Sequence, residues 1–176
     1  MKYSGLNRKV KEYQSVLQNT IDYRNAWKHE LRARIVDDLN KMSAATGIKG
    51  TISFQENVGN AEVIVFSMGK SASCIFARVD SDTNKPLIKD FGSLVYQQLF
   101  NGKIQVSIYY PFIEGFGQPQ PPKMIAIYRP EEIKSAYVER HLEEFIRALT
   151  EWEDYDDDKQ AAAIGFQMNN INLPSK

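Results

Sequence analysis

Two histidines and one cysteine are the side chains of this sequence best suited to acid–base, nucleophilic or metal chemistry. His29 and His141 each lie in a segment with helical periodicity, without a second histidine at metal-ligand spacing. Val138 stands where the Glu-x-x-His pattern of di-iron proteins needs a glutamate. We interpret both histidines as helix-surface or core-rim residues, with acid–base catalysis as the alternative, and Cys74 as a small buried side chain. The sequence predicts no metal and no cofactor, and it contains no catalytic signature.

Two short motifs have the letters of nucleotide-binding or kinase sites but not their context. Gly69-Lys70-Ser71 ends like a phosphate-binding loop, yet Ile64 replaces the glycine needed five positions earlier, and a strand is expected where that loop needs a helix. Asp90-Phe91-Gly92 copies a kinase triplet without the glycine-rich loop or the catalytic loop. We interpret the first as a β-turn and the second as chance.

Three oxygen-bearing side chains stand at calcium-loop spacing. Asp80, Asp82 and Asn84 occupy the first, third and fifth positions, where such oxygens suit a hard cation. However, Lys85 and Phe91 replace the glycine of the sixth position and the glutamate of the twelfth. The segment is therefore interpreted as a solvated turn.

Three basic residues recur every four positions in the first third of the chain. Arg24, Lys28 and Arg32 predict a basic stripe on one helix face, which could follow a phosphate backbone. Interspersed acidic residues, a pI of 6.7 and the lack of an aromatic single-strand platform argue against nucleic acid. We prefer pairing of this stripe with the acidic C-terminal helix, within the chain or between subunits.

Residues 109–116 contain four aromatic side chains in eight positions and lead into a proline-rich loop. Strand alternation places Tyr109 and Tyr110 on opposite faces, so one ring needs cover from outside the main core face. Such rings suit interfaces, and burial beneath the N-terminal helix is the equal alternative. The candidate partner-binding residues are Arg24, Lys28, Arg32, Tyr109, Phe112 and Phe116.

Length and composition predict one globular domain. The 176 residues are 43% hydrophobic and 25% charged, close to the averages of globular domains, so neither a disordered nor a fibrous protein is favoured. We assign residues 1–153 to the domain and residues 154–176 to an acidic and polar tail that is mobile or docks on a neighbour. Although the net charge is zero, the two ends of the chain have opposite charge. Residues 1–50 contain ten Lys/Arg against five Asp/Glu, and residues 130–160 contain four Lys/Arg against eleven Asp/Glu. The two ends are thus expected to attract each other.

The distribution of apolar residues predicts a protein without a membrane segment. The longest apolar runs fall far short of the roughly 20 residues that a spanning helix needs. The first residues carry charges every few positions, so no secretory signal is visible. A single cysteine fits a reducing compartment. We therefore expect a cytoplasmic protein.

Residues 7–46 lack Pro and Gly and show apolar residues at helical spacing. One helix of this span is about 60 Å long, too long for a compact domain with a radius of gyration of about 16 Å. A break near Asn19 is the first option, because an N-cap residue there precedes Asp22 by three positions. The alternative is a continuous helix that projects and finds a partner chain. Gly47 is expected to end it.

Period-two alternation after Gly47 predicts short strands whose tight connections make neighbours antiparallel. The turns are expected at 57–60, at 69–71 and at Asn101-Gly102, the strongest hairpin signal. Residues 80–86 are expected to form a loop, and residues 94–100 fit both a strand and a helix, of which the hairpin signal favours the strand. The expected strands cover residues 48–55, 61–68, 73–79, 94–100, 104–110 and 123–128.

The predicted fold class is α+β, with an antiparallel sheet of about five or six strands flanked by a long N-terminal helical region and a C-terminal helix. That last helix is expected from Pro130 to about Trp152. The preferred hypothesis for function is an interaction or scaffold protein that self-associates through its helices or its aromatic hairpin, as a homo-oligomer or with another protein. The alternatives are a small-ligand-binding protein or enzyme with a helix–sheet cleft, and a weak nucleic-acid binder.

Overall fold

The chain forms an α+β fold in which one long helical rod and a second helix accompany two antiparallel sheets. The computed structural model describes residues 3–58, 61–78 and 84–155. Asp80 and Asp82 therefore lie outside the described residues, as does the predicted tail beyond Tyr155. The elements are α1 (Ser4–Ala26), a π-helical turn (Trp27–Leu31), α2 (Arg32–Thr46), β1 (Thr51–Val58), β2 (Ala61–Ser67), β3 (Lys70–Arg78), β4 (Asn84–Asp90), β5 (Ser93–Gln98), β6 (Ile104–Tyr109), β7 (Phe112–Ile113), β8 (Lys123–Tyr128), a 3-10 turn (Pro130–Glu132) and α3 (Ser135–Glu153).

The N-terminal helical region is continuous from α1 through the π-helical turn into α2, a rod of about 65 Å. The predicted break near Asn19 is wrong. Thr20 Oγ1 donates to the Val16 carbonyl oxygen at 3.2 Å, so this polar side chain bonds within the helix instead of capping a new one. Gly47 ends α2 in the left-handed conformation at φ 77°, as predicted.

The π-helical turn is the point where the rod joins the sheet. Its first and last residues, Trp27 and Leu31, are buried in the core. Glu62 on β2 accepts hydrogen bonds from Trp27 Nε1 and from Arg32 Nη1, each at 2.9 Å. One carboxylate thereby holds both ends of the wide turn against the sheet.

Strands β2 to β5 form a long, bent, two-stranded ribbon. β2 continues into β3 at Gly69, and β4 continues into β5 at Gly92, so the turn predicted at 69–71 is a kink and not a reversal. Hydrogen bonds from Met68 N to Gly92 O at 3.1 Å and from Phe91 N to Gly69 O at 3.0 Å join the two strands at the bend. Both glycines have φ of 86°, which L-residues rarely adopt.

The bend divides the ribbon between two sheets, with strand orders β1-β2-β5-β6-β8 and β3-β4-β7. The strand interpretation of residues 94–100 is confirmed by β5, and the hairpin at Asn101-Gly102 joins β5 to β6. The loop predicted for residues 80–86 is partly wrong, because β4 begins at Asn84.

One face of the five-stranded sheet packs against the rod and α3. Alternating inward side chains of β2, β5 and β6 meet the buried line of both helices, as expected for a half-covered antiparallel sheet. The core consists of Trp27, Leu31, Ile35, Leu39, Ile64, Phe66, Leu94, Tyr96, Ile104, Val106, Ile108, Ile133, Val138, Leu142, Phe145 and Ala148.

The C-terminal helix begins later than predicted. The predicted start at Pro130 opens a 3-10 turn, in which Glu132 Oε2 accepts from Arg129 N at 2.6 Å. Ile133 is then extended and fully buried, and its carbonyl oxygen accepts from Arg34 Nη2 at 2.6 Å. Burial of Ile133 therefore interrupts the helix, which starts at Ser135.

Candidate functional site

One side of α1 carries large apolar side chains that face solvent. Each exposes 45–63% of its surface, and α1 has no buried residue. Their steps of three and four residues follow the helical period and place most of them on one face. We call the set the α1 face. It comprises Tyr3, which directly precedes α1, and Leu6, Val10, Tyr13, Val16, Leu17 and Ile21 of the helix.

The body of the fold contacts the C-terminal end of α1. Gly102 of the β5–β6 hairpin lies so close that an added Cβ would be 2.7 Å from Tyr23 Cβ and 2.9 Å from the Thr20 carbonyl oxygen. Arg24 Nη2 donates to the Phe100 carbonyl oxygen at 2.9 Å, and the Phe100 side chain is 83% exposed. The described part of the chain thus leaves the α1 face uncovered.

The predicted basic stripe lies where α1 joins the body. Arg24 bonds the hairpin backbone, Arg32 forms a 2.9 Å ion pair with Glu62, and Lys28 is exposed. The preferred pairing with the acidic C-terminal helix of the same chain is therefore wrong for Arg24 and Arg32, because both side chains bond residues of the sheet instead. Nucleic-acid binding by this stripe stays a prediction.

Acidic side chains of α3 pair with lysines of the sheets instead. Glu144 Oε1 lies 2.8 Å from Lys123 Nζ, and Glu153 Oε1 lies 2.6 Å from Lys89 Nζ. The Lys89 ammonium also lies 4.8 Å from the ring centroid of Trp152. Negative charge on the acidic helix is thus partly neutralised by β4 and β8.

The aromatic segment is divided between surfaces. Tyr109 is exposed on the sheet face opposite the helices, whereas Tyr110 packs against the core, so the predicted separation is confirmed. The alternative prediction, burial beneath the N-terminal helix, is wrong for Tyr109. Phe112 is half-buried on β7, its ring centroid 6.0 Å from Lys70 Nζ, and Phe116 is exposed. A role of these rings in partner binding stays a prediction.

His141 lies in the core between two tyrosines, and its assignment to a helix surface or core rim is wrong. It is 2% exposed. Tyr96 Oη of β5 is 3.2 Å from His141 Nδ1, and Tyr128 Oη of β8 is 3.1 Å from Nε2. The imidazole thus connects α3 to two strands of the sheet, β5 and β8.

Burial controls the protonation of this cluster. It lowers the pKa of His141 to about 4, with Glu144 opposing and Arg140 reinforcing the shift. Burial also raises the pKa of Tyr96 and of Tyr128 above the ordinary tyrosine value. All three groups are therefore neutral near pH 7, and the imidazole has one donor nitrogen and one acceptor nitrogen.

A cleft of about 340 Å³ opens beside the cluster, between α3 and β8. Tyr137 and His141 share a helix face because they are four residues apart, and this spacing was the one sequence signal for the site. The contributions of Tyr96 and Tyr128 depend on the order of strands in the sheet, which local patterns do not reveal. The polar and charged lining includes Tyr128, Tyr137, Arg140, His141, Glu144 and Arg147.

The other reactive side chains do not form a site. His29 is exposed in the π-helical turn, and Cys74 is exposed on β3, so its predicted burial is wrong. Among the described residues, no three His, Cys, Asp or Glu side chains are grouped to hold a metal ion.

The Gly69-Lys70-Ser71 and Asp90-Phe91-Gly92 motifs lie side by side at the bend of the ribbon. Lys70 Nζ is 3.4 Å from Asp90 Oδ2 and 3.1 Å from Glu114 Oε1. Asp90 Oδ1 accepts from Gly92 N at 2.8 Å. Both motifs therefore have a structural role in the kink.

The chain matches no family model, no curated protein and no solved structure. Over the part of the chain that the structure describes, none of the helices combines the length and apolar character needed to cross a bilayer.

Proposed function

We propose that the protein is an interaction module that forms a homodimer through the α1 face. The observation that carries this proposal is the exposure of seven large apolar side chains, six on a 23-residue helix without a buried residue and Tyr3 directly before it. Monomeric proteins rarely expose a contiguous apolar patch larger than a few hundred Å². An isolated helix is marginal in water, so a projecting one gains most of its stability by packing.

The size of the α1 face suits a stable interface. Covering roughly 100 Å² on each side chain removes about 700 Å² per chain from water. A pair of chains would then bury about 1,400 Å², within the roughly 1,200–2,000 Å² of specific interfaces. The face is therefore large enough for a dimer without a contribution from the sheets.

The spacing of the α1 face fits a two-stranded coiled coil. Tyr3, Leu6, Val10, Tyr13 and Leu17 alternate steps of three and four residues. This alternation is the a/d repeat of the heptad, whose side chains interlock with those of a second helix. The expected partner element is thus another long amphipathic helix.

The flanking positions favour a second copy of the same chain. Val16 and Ile21 take g and e positions, which meet across a parallel, in-register pair of helices. Lys9 takes a g position, and the e positions hold uncharged Asn7 and Gln14, so no like charges face each other. An identical helix therefore complements both the apolar and the charged flanks.

Val10→Asp is expected to convert the dimer to a monomer, because it places a charge at the centre of the apolar seam. Self-association should weaken at least about 100-fold, a change of about 3 kcal/mol. Ser15→Asp puts the same charge on the opposite side of the same helix and should leave the dimer intact. Sedimentation equilibrium at low and high micromolar concentration measures both. A wild-type chain that stays monomeric throughout, or equal effects of both variants, would refute the proposal.

Helix orientation has its own expected result. Val10→Cys in a Cys74→Ser background should form a disulfide-linked dimer under mild oxidation, because a positions face each other in a parallel pair. Ser15→Cys should not crosslink at the same rate. Non-reducing gel electrophoresis over time compares the two, and equal rates would contradict the parallel arrangement.

A further inference from the structure

The hydrogen bonds of His141 determine which proton Tyr128 presents to the cleft. Tyr96 is fully buried, and its hydroxyl contacts His141 Nδ1. Buried donors are left unpaired less often than buried oxygen lone pairs, so Tyr96 donates to Nδ1. The neutral imidazole then carries its proton on Nε2 and donates it to Tyr128 Oη. The O–H of Tyr128 is thereby left to bind a group in the cleft.

Two arginines and two glutamates line the cleft, and one of the glutamates is neutralised from outside it. Arg140 and Arg147 both line it, and neither forms an ion pair with any residue that the structure describes. Glu144 is paired with Lys123 at 2.8 Å, which leaves Glu143 as the other acidic lining residue. Lys123 is not a lining residue, but its ammonium neutralises Glu144. The two arginines of the lining therefore face one remaining carboxylate, and one positive charge is in excess.

We propose that this cleft binds a small organic carboxylate with an apolar body. A guanidinium fork and a phenol O–H are donors that match the planar oxygens of a carboxylate. One excess positive charge suits one negative charge, and Ile125 with the ring of Tyr137 supplies apolar surface. The volume of about 340 Å³ lies at the lower end of the roughly 300–1,000 Å³ of small-molecule pockets.

Benzoate is the probe for this site, with benzamide as its neutral counterpart. In a titration of the full chain followed by amide NMR shifts, benzoate should saturate and shift residues of α3 and β8. Benzamide should bind at least about tenfold more weakly, because it lacks the charge that Arg140 recognises. Inorganic phosphate should compete poorly, because it has no apolar body.

Variants locate the binding. Arg140→Gln and Tyr128→Phe should each weaken benzoate binding at least about fivefold, whereas Arg8→Gln, which removes a charge from exposed α1, should not change it. The proposal would be overturned if benzoate gave no saturable shifts or if Arg140→Gln bound it unchanged. It would also be overturned if benzamide bound equally well or if phosphate competed at equal concentration. Arg140→Gln keeps the test valid if Tyr128→Phe fails to fold. Repeating the titration on Val10→Asp should give the same affinity, which separates this site from the dimer.

Discussion

Gly92→Ala is expected to lower the free energy of unfolding by about 3 kcal/mol. An alanine at φ 86° costs about 1–2 kcal/mol in backbone strain alone. Its Cβ would also lie 2.7 Å from the Tyr109 carbonyl oxygen and 3.2 Å from Pro111 N, and these backbone atoms cannot move aside as a flexible side chain does. Such overpacking adds about 1–3 kcal/mol.

Gly69 supplies a matched control on the other strand of the bend. It has the same φ of 86°, but an added Cβ meets no atom within 4 Å among those that the structure describes. Gly69→Ala should therefore cost only about 1–2 kcal/mol. Both variants change the entropy of the unfolded chain alike, so the difference between them isolates the contact. Urea denaturation measures both, and equal losses would show that Gly92 is not close-packed against the chain after β6.

The stability of the wild-type chain is expected to rise by about 2 kcal/mol more than that of His141→Gln between about pH 5 and pH 7.5. Burial lowers the folded pKa of His141 to about 4, whereas the unfolded chain has the ordinary value of about 6.5. Between these values the unfolded state binds more protons. Stability therefore falls as the pH falls through this window and levels off below about pH 4.

The titratable and charged groups that face His141 lie on β5, β8 and α3 itself. Tyr96 and Tyr128 bond its nitrogens, the ring of Tyr137 lies 6.4 Å away between centroids, and Arg140 and Glu144 supply opposing charges. Urea denaturation of both chains at each pH gives the result, because other titrating groups cancel in the difference.

His29→Gln is the control for the pH experiment. It makes the same histidine-to-glutamine replacement at an exposed position of the π-helical turn, outside the buried cluster. Parallel profiles for wild type and His141→Gln would contradict the burial argument, since no differential proton uptake would remain. The comparison needs no bound ligand and no partner.

Elements of the sheet could be predicted where their signals are local. Alternation identified residues 104–110 because side chains of a half-buried strand alternate between two environments. Asn101-Gly102 identified the β5–β6 hairpin for a similar reason. The bend at Gly69 could not be predicted, because the sequence there resembles a reversing turn. Whether the chain reverses or bends depends on Gly92, which lies far along the sequence on the paired strand.

Exposure was harder to predict than helicity. Val10 and Leu31 both stand among apolar residues at helical spacing, yet Val10 is exposed and Leu31 is buried, because the sheet contacts only part of the rod. The surroundings of His141 were missed for a related reason. Tyr96 and Tyr128 bond it, although the strands that carry them are far apart in sequence. The order of strands, rather than any motif, creates the site.

The π-helical turn also fixes an angle. Arg32 N donates to the Trp27 carbonyl oxygen, five residues back, so this turn winds less per residue than the helix on either side. If Trp27–Leu31 wound as an ordinary α-helix, α1 would rotate about its axis by about a quarter of a turn relative to the sheets. The π-helical turn therefore determines which way the α1 face points relative to the sheets, and so the side from which a partner helix approaches.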